Sequence, residues 1–290
     1  MNRPDMMTIG LRLPGACSRL PFPEFAQWCA GAGFDCIDLP EPSQERVDAL
    51  NAAGLAIGTI DLGPTQKLLS PDDAARAEGI AEVSARVRAI AAVGGTKAFC
   101  VFYPADHGQA RGVSVENFCK AFPEVAAVAA EVGVRFAMEG WPGPNHSAIG
   151  VTPETLRIMF ATDTSGTLGL NYDPSHLVRV GVDYKRYLRE FGHLVVHAHG
   201  KDTARDSEGQ YLYGHLGPSV DKAIGWSGGD WRYCIPGEGD VDWTHVCAEL
   251  NRHGFDGTIA IELEDFRYNN TEDGEKRGLS RARAHLLPLL

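Results

Sequence analysis

The sequence contains no long hydrophobic run. No uninterrupted apolar stretch approaches the ~18 residues that a membrane-spanning helix needs. Residues 1–8 also lack the basic-then-apolar pattern of a signal peptide. Both absences argue against a membrane partner, and we expect a cytoplasmic protein.

Basic residues are outnumbered as well. The chain has 27 Lys and Arg against 38 Asp and Glu, which gives a net charge of −11. Proteins that bind duplex DNA normally present a basic surface, because their affinity comes from neutralising phosphates. The acidic balance therefore argues against nucleic acid as a partner.

The cysteines lack the spacing of a metal or redox motif. There are seven, an odd number, and they are scattered without a Cys-x-x-Cys pair. Such cysteines are typical of small buried side chains in a reducing compartment. Linkers and low-complexity tracts are also missing, so we expect one domain over residues 1–290.

Short apolar runs rich in β-branched residues alternate along the chain with longer amphipathic stretches. Eight such runs are strand candidates: 8–13, 36–39, 56–62, 97–103, 135–139, 168–172, 194–199 and 258–263. The helix candidates between them are 24–32, 44–53, 74–93, 116–131, 153–161, 184–191 and 243–253. This alternation predicts an α/β fold, a single closed (β/α)8 TIM barrel.

An open doubly wound sheet is the alternative fold. It would be favoured by a dinucleotide-binding glycine fingerprint after the first strand, but residues 13–17 read Leu-Pro-Gly-Ala-Cys. One long irregular stretch, about 203–240, is expected to form a functional rim loop, because loops of that length in a compact domain usually have a function. The tail, about 271–290, is expected to form a C-terminal helix docked on the barrel.

Ionisable side chains collect where the last four strands end. Strand five ends in Glu139, strand six leads into Asp173, strand seven ends in His199, and strand eight leads into Glu262. In a TIM barrel these ends share the catalytic rim. Burying so many carboxylates together is costly unless a cation compensates them.

Each of these residues alone would fit an ordinary surface carboxylate or core histidine. Their occurrence on four successive strand ends favours a metal site instead. Oxygen-rich donors with one imidazole suit Mn²⁺, Mg²⁺ or Co²⁺, with Zn²⁺ as a further candidate. We expect Mn²⁺.

Four segments give a family resemblance: Tyr-Asp-Pro-Ser-His-Leu at 172–177, His-Ala-His-Gly-Lys-Asp at 197–202, Ile-Pro-Gly-Glu-Gly-Asp at 235–240 and Ile-Glu-Leu-Glu-Asp at 261–265. They resemble the sugar phosphate isomerase/epimerase family of the xylose isomerase-like TIM-barrel superfamily. That superfamily includes ketose 3-epimerases, inosose dehydratases and endonuclease IV. These motifs lie within residues 134–265. Before residue 134 the resemblance is limited to the alternation of strand and helix candidates.

The resemblance implies roles for particular residues. The metal ligands of the family fall on Glu139, Asp173, His199 and Glu262. Its two glutamates also act as acid and base, and the His of the Asp-Pro-Ser-His motif, His176, lines the catalytic site.

The resemblance also places substrate contacts at Lys201 and Glu238. Three further residues from rim segments are candidates for substrate binding: Trp141 by stacking on a sugar, Arg232 as a clamp, and His146 as a base. The stretch 140–146 departs from the short polar turn common in the family, which leaves the second base open. Members often pair, so a homo-oligomer is also expected.

The expected function is a divalent-metal-dependent sugar isomerase or epimerase. It would abstract a proton α to a carbonyl through a metal-stabilised enediolate. The alternative is a metal-dependent lyase or dehydratase that performs β-elimination on a keto-sugar or 3-keto-glycoside. Both take a small sugar or keto-sugar as substrate.

Two other functions are weaker candidates. Endonuclease IV-like repair needs additional histidines on earlier strands, whereas here strand three leads to Asp61 and strand four to Tyr103. A non-catalytic sugar-binding module is disfavoured by the complete ligand set.

Overall fold

A computed structural model describes residues 7–290 of the chain. Residues 1–6, which include most of the segment that lacks a signal-peptide pattern, lie outside the described residues. The strands within residues 7–290 are β1 (Thr8–Arg12), β2 (Cys36–Leu39), β3 (Ala56–Asp61), β4 (Lys97–Cys100), β5 (Arg135–Glu139), β6 (Leu168–Tyr172), β7 (Val195–Gly200), β8 (Asp202–Arg205), β9 (Trp231–Cys234) and β10 (Thr258–Ile261).

Eight of these strands form a closed parallel barrel. Going round it, β1 to β7 follow one another in chain order, and β10 closes the ring between β7 and β1. The closure is in register from Thr8 opposite Thr258 to Leu11 opposite Ile261. Each of the eight barrel strands overlaps one of the predicted runs, with ends that differ by up to three residues, and the predicted (β/α)8 barrel is confirmed.

Residues 7–290 contain ten α-helices, and those that alternate with the barrel strands surround the barrel. They are α1 (Phe22–Gly31), α2 (Gln44–Ala53), α3 (Asp73–Ala92), α4 (Arg111–Val132), α5 (Pro153–Thr162), α6 (Pro174–Val180), α7 (Tyr184–Phe191), α8 (Ser207–Tyr213), α9 (Trp243–Arg252) and α10 (Glu272–Leu286). Gly54 and Gly133, with φ of 76° and 72°, end α2 and α4 in the left-handed conformation that glycine adopts without strain.

The segment 203–240 is more ordered than a long irregular loop. Strands β8 and β9 pair antiparallel as a separate two-stranded sheet, from Asp202 opposite Cys234 to Arg205 opposite Trp231. Helix α8 lies between them. The sequence did not indicate these two strands, because each has only four residues and glycines are frequent around them. We call residues 202–234 the excursion, because they leave the barrel between β7 and β10.

The C-terminal tail forms α10, which packs on the barrel through the buried side chains of Leu279, Ala282 and Leu286. The buried Glu275 carboxylate accepts the backbone N–H groups of Ala16 and Cys17. This bond ties the helix to the loop after β1. Within residues 7–290, every helix is too short or too polar to cross a membrane.

Candidate active site

His199 lies at the centre of three carboxylates on the rim of the barrel. Its Nδ1 atom is 2.6 Å from Glu139 Oε1, 3.4 Å from Glu262 Oε2 and 3.9 Å from Asp173 Oδ2. The parallel strands β5, β6, β7 and β10 bring these residues together at their carboxyl ends. The structure thus assembles the four residues that the resemblance implies as ligands.

His176 faces the same carboxylates from the start of α6. Its Nε2 atom is 3.3 Å from Glu139 Oε2 and 3.4 Å from Asp173 Oδ2. On distance alone, Glu139, Asp173, His176 and Glu262 form a group whose ligand atoms all lie within 4.8 Å of one another. Two histidines therefore compete for one place beside a metal ion, and their hydrogen bonds distinguish them.

Hydrogen bonds set His176 as a donor toward the carboxylates. Arg179 Nη1 donates to Tyr233 Oη at 2.9 Å, and an arginine can only donate. Tyr233 Oη also lies 2.7 Å from His176 Nδ1, and we assign its hydrogen to that nitrogen. A neutral imidazole that accepts at Nδ1 carries its proton on Nε2. With this assignment the nitrogen that faces the carboxylates is an N–H donor and not a free metal ligand, which agrees with its 3.3 Å and 3.4 Å distances from two carboxylate oxygens.

His199 has the opposite arrangement. Its Nε2 atom faces Asp38 Oδ2 at 3.6 Å, which is beyond hydrogen-bond distance, and the negative charge of that carboxylate favours a proton on that nitrogen. Asp38 is itself held by His197 Nε2 at 3.1 Å and by the backbone N–H of Thr59 at 2.7 Å. A carboxylate behind a metal-bound histidine is a common support that fixes the tautomer. Nδ1 is left to bind a cation among the carboxylates.

Two buried atoms of the cluster make ion-pair contacts but no hydrogen bond. His199 Nδ1 and Asp173 Oδ2 are both shielded from solvent, and Glu139 Oε1 and Lys201 Nζ lie 2.6 Å and 3.2 Å from them, yet neither atom has a hydrogen-bond partner within the described chain. Buried polar atoms are rarely left without a partner, and the donors here are hard oxygens plus one imidazole. The residues present therefore fit a divalent cation.

Ionisation follows from the same contacts. Burial raises the pKa of the Glu139 carboxyl, but the attraction of His199 outweighs it and lowers that pKa below its usual range. Burial lowers the pKa of His199, but Glu262 and Glu139 raise it well above the usual value. Without a metal, the His199 ring is thus protonated, and a cation that binds it must replace a proton.

A buried lysine supplies part of the positive charge. Lys201 Nζ is 3.2 Å from Asp173 Oδ2 and 3.0 Å from Glu264 Oε2, and it also bonds to Glu262. Burial works against its charge, yet these carboxylates raise the pKa of Lys201 well above its usual value. Lys201 thus neutralises part of the negative charge of the cluster.

Sequence reasoning missed three supporting residues on the opposite side of the rim. Arg12 Nη2 is 2.8 Å from Asp61 Oδ2, and Arg12 Nε is 3.2 Å from Glu262 Oε1. Asp38 supports His199 as described above. These residues lie in or end β1, β2 and β3, so reading the ends of the first strands as closely as the last ones would have found them.

Four of the predicted substrate contacts lie outside the cluster. Trp141 packs edge-on against Tyr103, with ring centroids 5.8 Å apart. The carboxylate of Glu238 is engaged by Arg267 at 2.5 Å and Arg281 at 2.8 Å. The roles of Trp141 and Glu238 in binding substrate stay predictions.

His146 and Arg232 also lie outside the cluster. The exposed His146 has a φ of 54° and lines a separate cavity on the rim. Arg232 belongs to β9, and its guanidinium lies 5.9 Å from the ring of Phe266. Their proposed contacts with substrate also stay predictions.

Curated relatives match about half of the chain. An inosose dehydratase from Lactiplantibacillus plantarum is 28% identical over 151 residues, which cover 51% of this chain and 46% of that protein. An uncharacterised protein from Bacillus subtilis is 31% identical over 122 residues, or 41% of this chain and 38% of that protein. The chain thus spans about half the length, or less, of these relatives.

Solved structures share the fold over nearly the full chain. A D-psicose 3-epimerase from Clostridium cellulolyticum, solved with D-tagatose, has a TM-score of 0.71 at 14% identity and covers 98% of this chain and 99% of its own. The model of the xylose isomerase-like TIM-barrel family matches residues 26–285. With the closed barrel and the cluster at its rim, this match establishes that the chain belongs to the xylose isomerase-like TIM-barrel family.

Proposed function

We propose that this protein is a divalent-metal-dependent sugar isomerase or epimerase that moves a proton at a carbon α to a carbonyl. The main support is that two carboxylates lie close to the same imidazole nitrogen. Glu139 and Glu262 approach His199 Nδ1 from β5 and β10, at 2.6 Å and 3.4 Å. A substrate held between them would meet a potential base on each side.

Both glutamates are held in the ionised form. Burial opposes it, but Lys201 and His199 lower the pKa of Glu262 well below its usual range, as His199 does for Glu139. Asn171 Nδ2 donates to Glu139 Oε1 at 2.9 Å and fixes that carboxylate. Ionised, oriented carboxylates can remove a proton α to a carbonyl and return it at the same or the neighbouring carbon.

We propose Glu139, Asp173, His199 and Glu262 as the metal-holding residues, with Mn²⁺ as the expected ion. When bound, such an ion supplies Lewis-acid stabilisation of the negative charge that develops on the substrate oxygens. His176 contributes a Nε2–H donor at the same place, held there by Tyr233. We propose a small sugar or keto-sugar as the substrate, since its adjacent oxygens match this set of charges.

A lyase that eliminates a group β to the carbonyl is the second candidate. One observation favours it: the buried ammonium group of Lys201, 3.0 Å from Glu264 Oε2, places a proton donor beside the cluster. A departing hydroxyl or aglycone needs such a donor. The inosose dehydratases among the curated relatives are consistent with this chemistry.

Proton NMR in D₂O separates the two reactions. The Mn²⁺-loaded protein is incubated with a panel of ketoses and 3-keto-glycosides. Deuterium that enters one α-carbon while an epimer or isomer forms supports the isomerase. Loss of water or an aglycone with an enone signal supports the lyase, and absence of exchange across the panel contradicts both.

Metal dependence is tested separately by chelation. We expect a chelator to abolish turnover and added Mn²⁺ to restore it, since the ion would supply the Lewis acid that stabilises the developing negative charge. Full activity of the chelated protein, with its metal content checked by elemental analysis, would reject the metal-dependent mechanism.

A further inference from the structure

A cavity of about 660 Å³ lies beside the candidate active site and is not part of it. It is formed by the loop after β5, the C-terminal end of α6 and the excursion. None of the proposed metal ligands lines it. The ionisable residues in its wall are Arg111, His146, Arg179, Arg205, His215 and Asp230.

The charge of this wall is opposite to that of the protein. The chain has a net charge of −11, yet three arginines and a single carboxylate, Asp230, line the cavity. His215 Nδ1 lies 2.7 Å from that carboxylate. Arg205 is paired with Asp240, which does not line the cavity. Within residues 7–290, Arg111 and Arg179 take part in no ion pair.

Arg179 is held rigidly at the boundary between the cavity and the cluster. Its guanidinium lies 4.3 Å from the centre of the Trp231 ring, and Nη1 donates to Tyr233 Oη at 2.9 Å. The other N–H groups of the fork remain available, since Tyr233 takes only one of them. A stacked, preorganised guanidinium is well suited to a planar or tetrahedral anion.

We propose that this cavity binds a small anionic ligand through a carboxylate or phosphate group, with Arg179 as the anchor and Arg111 and Arg205 as further cationic contacts. Its volume is in the range of small-molecule sites. The anion could belong to the substrate or to a separate ligand, and the chemistry of recognition is the same.

Binding of inorganic phosphate, measured by calorimetry at low ionic strength, tests this proposal. We expect one saturable site per chain. The Arg179→Gln variant and the Arg111→Gln/Arg205→Gln double variant should each bind roughly tenfold more weakly or worse, because charge-assisted bonds are lost. The control is Arg157→Gln, which removes an exposed arginine paired with Glu190 elsewhere on the surface.

Two further arms exclude misleading results. Thermal unfolding of each variant shows whether it is folded. If Arg179→Gln is unstable, the double variant of the exposed residues Arg111 and Arg205 still tests the proposal. Phosphate binding must also persist in chelated protein and in Asp173→Asn. Loss of binding there, equal binding by all the arginine variants, or no saturable binding by the wild type would overturn the proposal.

The source of the anion is then identified with a matched pair of ligands. If D-fructose 6-phosphate binds more tightly than D-fructose and the Arg179→Gln variant erases the difference, the anion belongs to the substrate. If the two sugars bind equally while phosphate binds independently of them, the ligand is separate. Either result supports an anion site.

Discussion

The two halves of the barrel rim carry side chains with different tasks. Strands β5, β6, β7 and β10 present donor atoms that face one another: Glu139, Asp173, His199 and Glu262. Strands β1, β2 and β3 carry the supporting residues Arg12, Asp38 and Asp61. Arg12 contacts Glu262 and Asp61, and Asp38 lies behind His199. One half of the rim thus provides the reacting groups, and the other fixes their charge and orientation.

This difference predicts different consequences of mutation. Loss of a donor residue should remove chemistry, whereas loss of a support should weaken metal binding or folding by a smaller factor. Substitutions in each half therefore test whether the division is real.

Removal of a glutamate from the donor half should have the largest effect. We expect Glu262→Gln and Glu139→Gln each to lower kcat about 10²- to 10⁴-fold, because the amide can neither take up a proton nor supply a charged ligand. Steady-state kinetics on the substrate found by the NMR screen measures this. Glu190→Gln, on the exposed face of α7, is the control, and near-normal turnover of Glu262→Gln would remove Glu262 from the site.

Substitution in the supporting half should affect metal binding more moderately. Asp38→Asn is expected to weaken Mn²⁺ binding about 10- to 100-fold, because His199 loses the carboxylate that holds its Nε2 proton. Calorimetry measures the affinity. Asp163→Asn is a matched control, since that carboxylate accepts the backbone N–H of Leu168 on a different part of the barrel. Equal metal affinity in both variants would contradict the supporting role.

Arg12 should matter for folding as well as for the site. Arg12→Met leaves Asp61 and one oxygen of Glu262 without their cation, and we expect the free energy of unfolding to fall by about 2 kcal/mol. Urea denaturation measures it. The exposed pair Arg157–Glu190 provides the control, where Arg157→Met should cost less than about 0.5 kcal/mol. Equal losses in the two variants would argue against a supporting role for Arg12.

The smallest effect is expected from a thiol reagent, because most of the cysteines are buried in the barrel and the helices around it. Burial raises the pKa of Cys247 to about 11 and that of Cys36 to about 12, so few thiolates exist at pH 8. A disulfide reagent such as Ellman's should modify the partly exposed Cys119 in the folded protein and the other cysteines only after unfolding. Rapid modification of all seven would show that the core is open.

The fold was readable from the sequence because its signals are local. Each barrel strand is a short, largely apolar run, and the runs alternate with longer amphipathic stretches, as at 135–139 between Gly133 and the loop that begins at Gly140. The paired strands of the excursion were missed because β8 and β9 have four residues each and stand among glycines.

The cluster was predictable only in part. Strand ends identified the carboxylates and two histidines, because parallel strands bring their carboxyl ends together. They could not show which histidine has a free nitrogen, since that depends on Tyr233, 57 residues from His176, and on the Asp38 carboxylate, which lies in the opposite half of the rim from His199. Such partners are set by the folded barrel and not by spacing along the chain.

The central claim is that His199, and not His176, presents its free nitrogen to a metal. Mn²⁺ binding followed by electron paramagnetic resonance in His199→Gln and His176→Gln tests it most directly, with thermal unfolding to confirm that both variants fold. We predict that His199→Gln loses the tight site and that His176→Gln keeps it while turnover falls. Tight binding in His199→Gln together with its loss in His176→Gln would contradict this account.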